Sequence, residues 1–114
     1  MVQGTTYERE LKQLLRKEGW IVTRSAGSFA YDIVALKPDK HMIIEVKSTK
    51  KDKFVIKHSK RDKDQFDVLN ELAKQGFNTL YYIRWKGKKP KWSKYQLPLE
   101  PYPTFIHKNE KEVK

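Results

Sequence analysis

The chain predicts an α/β or α+β domain with one mixed β-sheet flanked by helices, and three observations lead there. Two segments carry apolar residues at helical spacing, several short runs are rich in β-branched and aromatic residues, and their order is helix, three or four strands, helix, two strands. With 114 residues, 38% of them hydrophobic, the chain suits one core and is too short for two.

Tyr7, Leu11, Leu14 and Leu15 share one helical face, Thr5 or Thr6 is placed to cap its start, and Gly19 to end it. Trp20 to Arg24 reads as the first strand and Ser25 to Ser28 as the turn after it. Tyr31 to Lys37 reads as the second strand. Pro38-Asp39-Lys40 makes a tight connection to a third, His41 to Ser48, expected as its hairpin partner. Lys50 to Lys53 is a polar turn before a short fourth strand, Phe54 to Ile56. Gln65, Phe66, Leu69, Leu72 and Ala73 trace the second amphipathic helix, with Gly76 as its stop. Thr79 to Trp85 has the strongest strand propensity, and Lys86 to Pro90 joins it to Trp92 to Leu97. Pro98, Pro101 and Pro103, followed by a charged run from Asn109 to Lys114, predict an extended segment frayed at its end.

The charge balance narrows the partners. Lys and Arg number 25 against 14 Asp and Glu, a formal net charge of +11, which calls for a polyanion, nucleic acid first. No stretch approaches the roughly 18 to 20 apolar residues of a membrane span, and the N-terminus lacks a basic-then-apolar leader, so a cytoplasmic protein without a membrane partner is expected. Cysteine is absent, which excludes disulfides, thiolate metal sites and a cysteine nucleophile. Any metal must be held by oxygen or imidazole, and His41, His58 and His107 show no metal-ligand spacing.

Chemistry is concentrated in two apolar runs. Asp32 opens Asp32-Ile33-Val34-Ala35, and Glu45-Val46-Lys47 follows Met42-Ile43-Ile44. Charged groups in such surroundings need a partner or a cation to stay ionised. Strand alternation puts Ile43, Glu45 and Lys47 on one face. If Asp32 lies across from Glu45, the two carboxylates suit a hard divalent ion such as Mg²⁺, and the backbone carbonyl of Val46 can add a ligand. Such a site supports phosphodiester hydrolysis without a nucleophilic side chain, with the Lys47 ammonium stabilising charge in the transition state. A plainer reading makes Glu45 and Lys47 a surface ion pair and Asp32 a turn residue. By spacing, Glu8 is an acid near the start of the first helix, interacting with its dipole.

Basic residues able to reach phosphate are Arg9, Arg24, the run Lys50-Lys51-Asp52-Lys53 and the cluster from Lys57 to Arg61, although most surface lysines are simply solvated. Trp85 and Trp92 read as core or interface residues before base-stacking platforms.

The run Thr6-Tyr7-Glu8-Arg9-Glu10-Leu11, then Val22 to Ser28, Asp32-Ile33-Val34-Ala35 and Ile44-Glu45-Val46-Lys47 resembles the archaeal Holliday junction resolvase family, in order, over roughly residues 4 to 97. Lys60-Arg61-Asp62 and Ile83-Arg84-Trp85 extend the match. The resemblance implies a restriction-endonuclease-like fold with a central mixed β-sheet flanked by helices, Mg²⁺ dependence with Mn²⁺ as a possible substitute, a homodimer, and paired symmetric nicking of four-way junction DNA. A nuclease domain is thus expected over 1–97, and by composition 98–114 reads as a proline-containing, charged extension without a match in the family. Carried over residue by residue, Asp32 and Glu45 match the metal-binding acids, Lys47 the catalytic lysine, and Glu8 an acid of the first helix that completes the site. Arg9 and Arg24 match basic residues associated with substrate phosphate, and Ser28 falls in a loop the family places near the active site. Lys50, Lys51, Lys53, Lys60, Arg61 and Arg84 complete the expected DNA-binding set. Leu69 and Ala73 stand where relatives often carry phenylalanines at the dimer contact, and Arg84 where they commonly carry lysine. Alternative readings are a nuclease of the same fold acting on other branched or nicked DNA, and a non-catalytic basic DNA-binding protein.

Overall fold

A computed structural model describes residues 2–24 and 30–108. Helix α1 covers Val2–Lys17, strands follow at β1 (Ile21–Arg24), β2 (Ile33–Lys37), β3 (Lys40–Thr49) and β4 (Lys53–Val55), and α2 covers Lys60–Lys74. Strands β5 (Thr79–Trp85), β6 (Trp92–Gln96) and β7 (Thr104–Ile106) complete the chain. The main sheet runs β1-β2-β3-β5-β6, antiparallel except for the β3–β5 pair, which is parallel because α2 carries the chain back across the sheet. The sheet is mixed and lies between the two helices, as the sequence predicts.

Side-chain alternation along β5 explains the layering. Leu80 and Tyr82 point to the α1 side, where Leu11 and Leu15 meet Ile33, Ala35, Met42 and Ile44; Tyr81, Ile83 and Trp85 point to the α2 side against Phe66 and Leu69. Each helix therefore covers one face, and β3 and β5 are the central, doubly covered strands.

Both helices end as their glycines predict. Gly19 and Gly76 take φ of +95° and +108°, and the paired closing bonds, Trp20 N–H to Leu15 O with Gly19 N–H to Arg16 O, and Phe77 N–H to Leu72 O with Gly76 N–H to Ala73 O, form Schellman caps. The start of α1 differs from expectation. Helical backbone begins at Val2, before Thr5 and Thr6, with no proline in that stretch to interrupt it.

Two further departures involve the sheet edges. The short fourth strand does not join the main sheet; β4 pairs antiparallel with β7, Phe54 opposite Phe105. Past Pro98 the chain is tied down: Asn70 donates to the Leu99 carbonyl at 2.8 Å and accepts from its N–H at 3.2 Å, and Phe105 is buried against Tyr81 and Tyr95. Apolar residues interleaved with the prolines supply that anchorage. The charged run 109–114 lies outside the described residues.

Candidate active site

The β2–β3 register decides whether the acids meet. Ile33 opposite Ile44 is the last regular pair, and just beyond it the Asp32 carboxylate lies near enough to Glu45 to raise its carboxyl. Asp32 N–H still donates to Ile44 O at 2.8 Å, but its carboxylate Oδ2 accepts the Val46 N–H at 3.0 Å. That side-chain bond stands in for the backbone ladder, which is why β2 starts at Ile33 and not at Tyr31.

Glu45 is buried, 4% exposed, on the face that looks toward α2. Burial pushes its carboxyl up to about 8, the Lys47 ammonium opposes this, and the Asp32 carboxylate adds to it. Glu45 Oε1 is enclosed without a hydrogen-bond partner, and so is the hydroxyl of Tyr81, its register partner on β5. The Tyr81 phenol is raised by burial and by the Glu45 and Asp62 carboxylates.

Lys47 lies two residues along the same face. Its Nζ contacts Glu45 Oε2 at 3.1 Å, Asp62 Oδ1 at 2.9 Å and Gln65 Oε1 at 2.7 Å. This is no surface ion pair: the side chains of Glu45 and Lys47 are 6% and 14% exposed.

Glu8 belongs to the same neighbourhood. With α1 starting at Val2, it lies beyond the first turn and is buried, so the helix-dipole reading fails. Burial raises its carboxyl and the Asp32 carboxylate raises it further, against the Arg24 guanidinium, whose Nε is 3.2 Å from Glu8 Oε2. One acid, Asp32, raises two others, Glu8 and Glu45, and each of those two has a buried carboxylate oxygen without a hydrogen-bond partner, an electronegative neighbourhood that suits a hard cation. The all-oxygen donor set of Glu8, Asp32, Glu45 and the Val46 carbonyl fits Mg²⁺ in kind. Among the described residues, no three acid or imidazole side chains converge into a ready ligand group: Glu8 leans on Arg24 and Asp32 on the Val46 amide.

Asp62 and Gln65 are not among the functional residues that the sequence predicts. Both carried a signal. Ser59 and Asp62 have N-cap and N3 spacing, and the Ser59 hydroxyl accepts the Asp62 N–H at 3.1 Å. Gln65 is an amide on an otherwise apolar stripe, and a buried amide requires a partner.

The expected phosphate contacts separate into two groups. Arg9, Arg24, Lys50, Lys51, Lys53, Lys60 and Arg61 are exposed, with Lys60 also paired to Asp64 at 2.8 Å. Ser28 lies outside the described residues. Arg84 is tucked under α1 with its side chain 11% exposed, paired to Glu10 at 3.1 Å and 5.0 Å from the Tyr7 ring. Glu10 also accepts from Trp92 Nε1 at 2.8 Å; burial opposes its ionisation, but the Trp92 and Arg84 donors prevail and lower its carboxyl. Leu69 is fully buried within its own core and Ala73 packs against it, so α2 shows Val68 to solvent in that stretch.

Crossover junction endodeoxyribonuclease Hjc of Methanocaldococcus jannaschii is 44% identical over 70 residues, 61% of this chain. The aligned part spans about half of that relative, 51% of its length. The solved structure of Archaeoglobus fulgidus Hjc, a Holliday junction resolvase from an archaeal hyperthermophile, matches with a TM-score of 0.68 over 91% of this chain and 84% of that one, at 23% identity. That likeness establishes the shared fold. The family model for archaeal Holliday junction resolvase (Hjc) matches residues 1–110, which takes in both helices, every strand and all four candidate catalytic residues; the chain belongs to that family.

Proposed function

We propose that this protein is a Mg²⁺-dependent endonuclease that resolves four-way DNA junctions by paired symmetric nicks, acting as a homodimer. The observation that carries this is the buried Glu45–Lys47 pair on β3, with Asp32 electrostatically coupled to both Glu45 and Glu8, in a chain of +11 net charge belonging to the resolvase family. Asp32 and Glu45 would hold the cation, with Glu8 and the Val46 carbonyl completing the donors; once bound, it supplies Lewis acidity at the phosphodiester and a more acidic water. The Lys47 ammonium faces charge developing on the phosphate, in a site dry enough for that charge to count. Exposed Arg9, Arg24, Lys50, Lys51, Lys53, Lys60 and Arg61 hold the flanking backbone, so recognition rests on shape and phosphate more than on base edges.

A dimer follows from the substrate. A four-way junction is roughly two-fold symmetric, and an isologous dimer presents two sites to opposed strands. The test compares a four-way junction with plain duplex and single strands, each with Mg²⁺, Mn²⁺ or EDTA, mapping nicks on all four strands. Symmetric, metal-dependent nicks confined to the junction are expected. Equal cutting of all three substrates removes junction specificity.

A further inference from the structure

We propose that Asp62 and Gln65, three residues apart on α2, are positioning residues that aim the Lys47 ammonium and hold it by two of its three N–H donors. The third is thereby reserved for the scissile phosphate. This rests on the endonuclease reading above.

An ammonium has three donors and no acceptor. Three oxygens lie within 3.1 Å of Lys47 Nζ, one each from Glu45, Asp62 and Gln65, so its donors are fully subscribed. The three partners are not equivalent. Glu45 is the only one of the three that is also a candidate cation ligand, and the Lys47 N–H now directed at its Oε2 would be freed were its carboxylate to hold a cation. Asp62 and Gln65 belong to another element and have no such competing claim. Their i, i+3 spacing puts both oxygens on one helix face, where they grip the ammonium from two directions. A lysine stem is long and flexible, and its own strand does not fix where the charge sits. The helix does: the Ser59 cap anchors the backbone of Asp62, and Phe66 and Leu69 lock the following turn into the core.

This accounts for a glutamine at a position that is 4% exposed and bordered by Phe66 and Leu69. A leucine would pack there but leave the ammonium with one acceptor fewer. A purely structural role, pinning α2 to the sheet, would affect stability without affecting the lysine's behaviour in catalysis.

Gln65→Leu, Gln65→Glu and Asp62→Ala in the full chain separate the two roles. Junction cleavage with Mg²⁺ gives kcat and KM, and the ¹H–¹⁵N signal of the Lys47 ammonium, assigned by its loss in Lys47→Arg, reports the grip directly in metal-free protein. Gln65→Leu and Asp62→Ala are expected to lower kcat by on the order of 10²-fold with little change in KM. Both should weaken or abolish the ammonium signal, and Gln65→Glu, which keeps an acceptor oxygen, should recover most of both. Wild-type kcat in Gln65→Leu and Asp62→Ala overturns the proposal, as does a lost kcat with an unaltered ammonium signal. If wild-type protein leaves the junction intact with Mg²⁺, the endonuclease reading fails instead, and the ammonium signal still decides whether Asp62 and Gln65 hold Lys47.

Discussion

Glu45 shows the tension at the residue scale: burial favours its neutral form, while a cation requires the charged one. In the folded protein it keeps its proton up to about pH 8, whereas in the unfolded chain it ionises near its ordinary 4.5. Between those values the folded state binds more protons than the unfolded state, so stability falls as pH rises through that window and levels off above it. Each unit of separation is worth about 1.4 kcal/mol. Melting temperature in EDTA from pH 5 to 9 should therefore decline for wild type and stay flatter for Glu45→Gln, and Mg²⁺ should raise it above pH 8 only where Glu45 is present. The same substitution, like Asp32→Asn, is expected to abolish junction cleavage while leaving junction binding largely intact. Normal cutting by either variant would remove that acid from the site.

At the scale of elements, each helix anchors one side of the chemistry. Helix α1 is fastened through Glu10 to Arg84 and Trp92, two residues from Glu8 in sequence. Arg84→Ala should accordingly destabilise the fold by about 1.5 to 3 kcal/mol, the worth of hydrogen bonds to a charged group, and leave the salt dependence of DNA binding unchanged. A reduced salt slope with unaltered stability would assign Arg84 to phosphate. Helix α2 starts at the Ser59 cap, and Ser59→Ala should cost roughly 1 kcal/mol in denaturant titration. Strand β7 holds the far end of that layer. Phe105→Ala removes a buried ring stacked on Tyr81 and should cost about 3 to 5 kcal/mol.

For the molecule as a whole, the formal charge is +11 and many of the described lysines and arginines are exposed, whereas Glu8 and Glu45 are buried acids. Binding of a four-way junction should weaken steeply with salt, by at least about 10³-fold between 50 and 200 mM if six phosphates are contacted. Neutralising Lys50, Lys51 and Lys53 one at a time should reduce the logarithmic salt slope by about 1 for each residue that contacts phosphate. An unchanged slope means that lysine is merely solvated. No helix among the described residues is long and apolar enough to cross a membrane.

Sequence by itself determined the features that depend on local chemistry. Alternating apolar runs specify strands, glycines that tolerate positive φ end both helices, and the uninterrupted stretch from Thr79 to Trp85 is a central strand because both its faces are covered. Asp32, Glu45 and Lys47 were legible because charge inside apolar runs is costly and demands an explanation. Tertiary structure decided whatever depends on which distant segment arrives. The pairing of β2 with β3 brought Asp32 beside Glu45, the start of α1 placed Glu8 beyond its first turn, and β4 left the main sheet for β7, whose residues read as extended chain. The basic residues show the same division. Arg84 resembles any phosphate-binding arginine in sequence, and only the arrival of Glu10 and Tyr7 from α1 makes it a structural ion pair. Asp62 and Gln65 resemble an ordinary helix start and a stray amide until the crossover from β3 to β5 brings α2 against Lys47. Periodicity reports which face of an element is apolar, but not which neighbour will meet it.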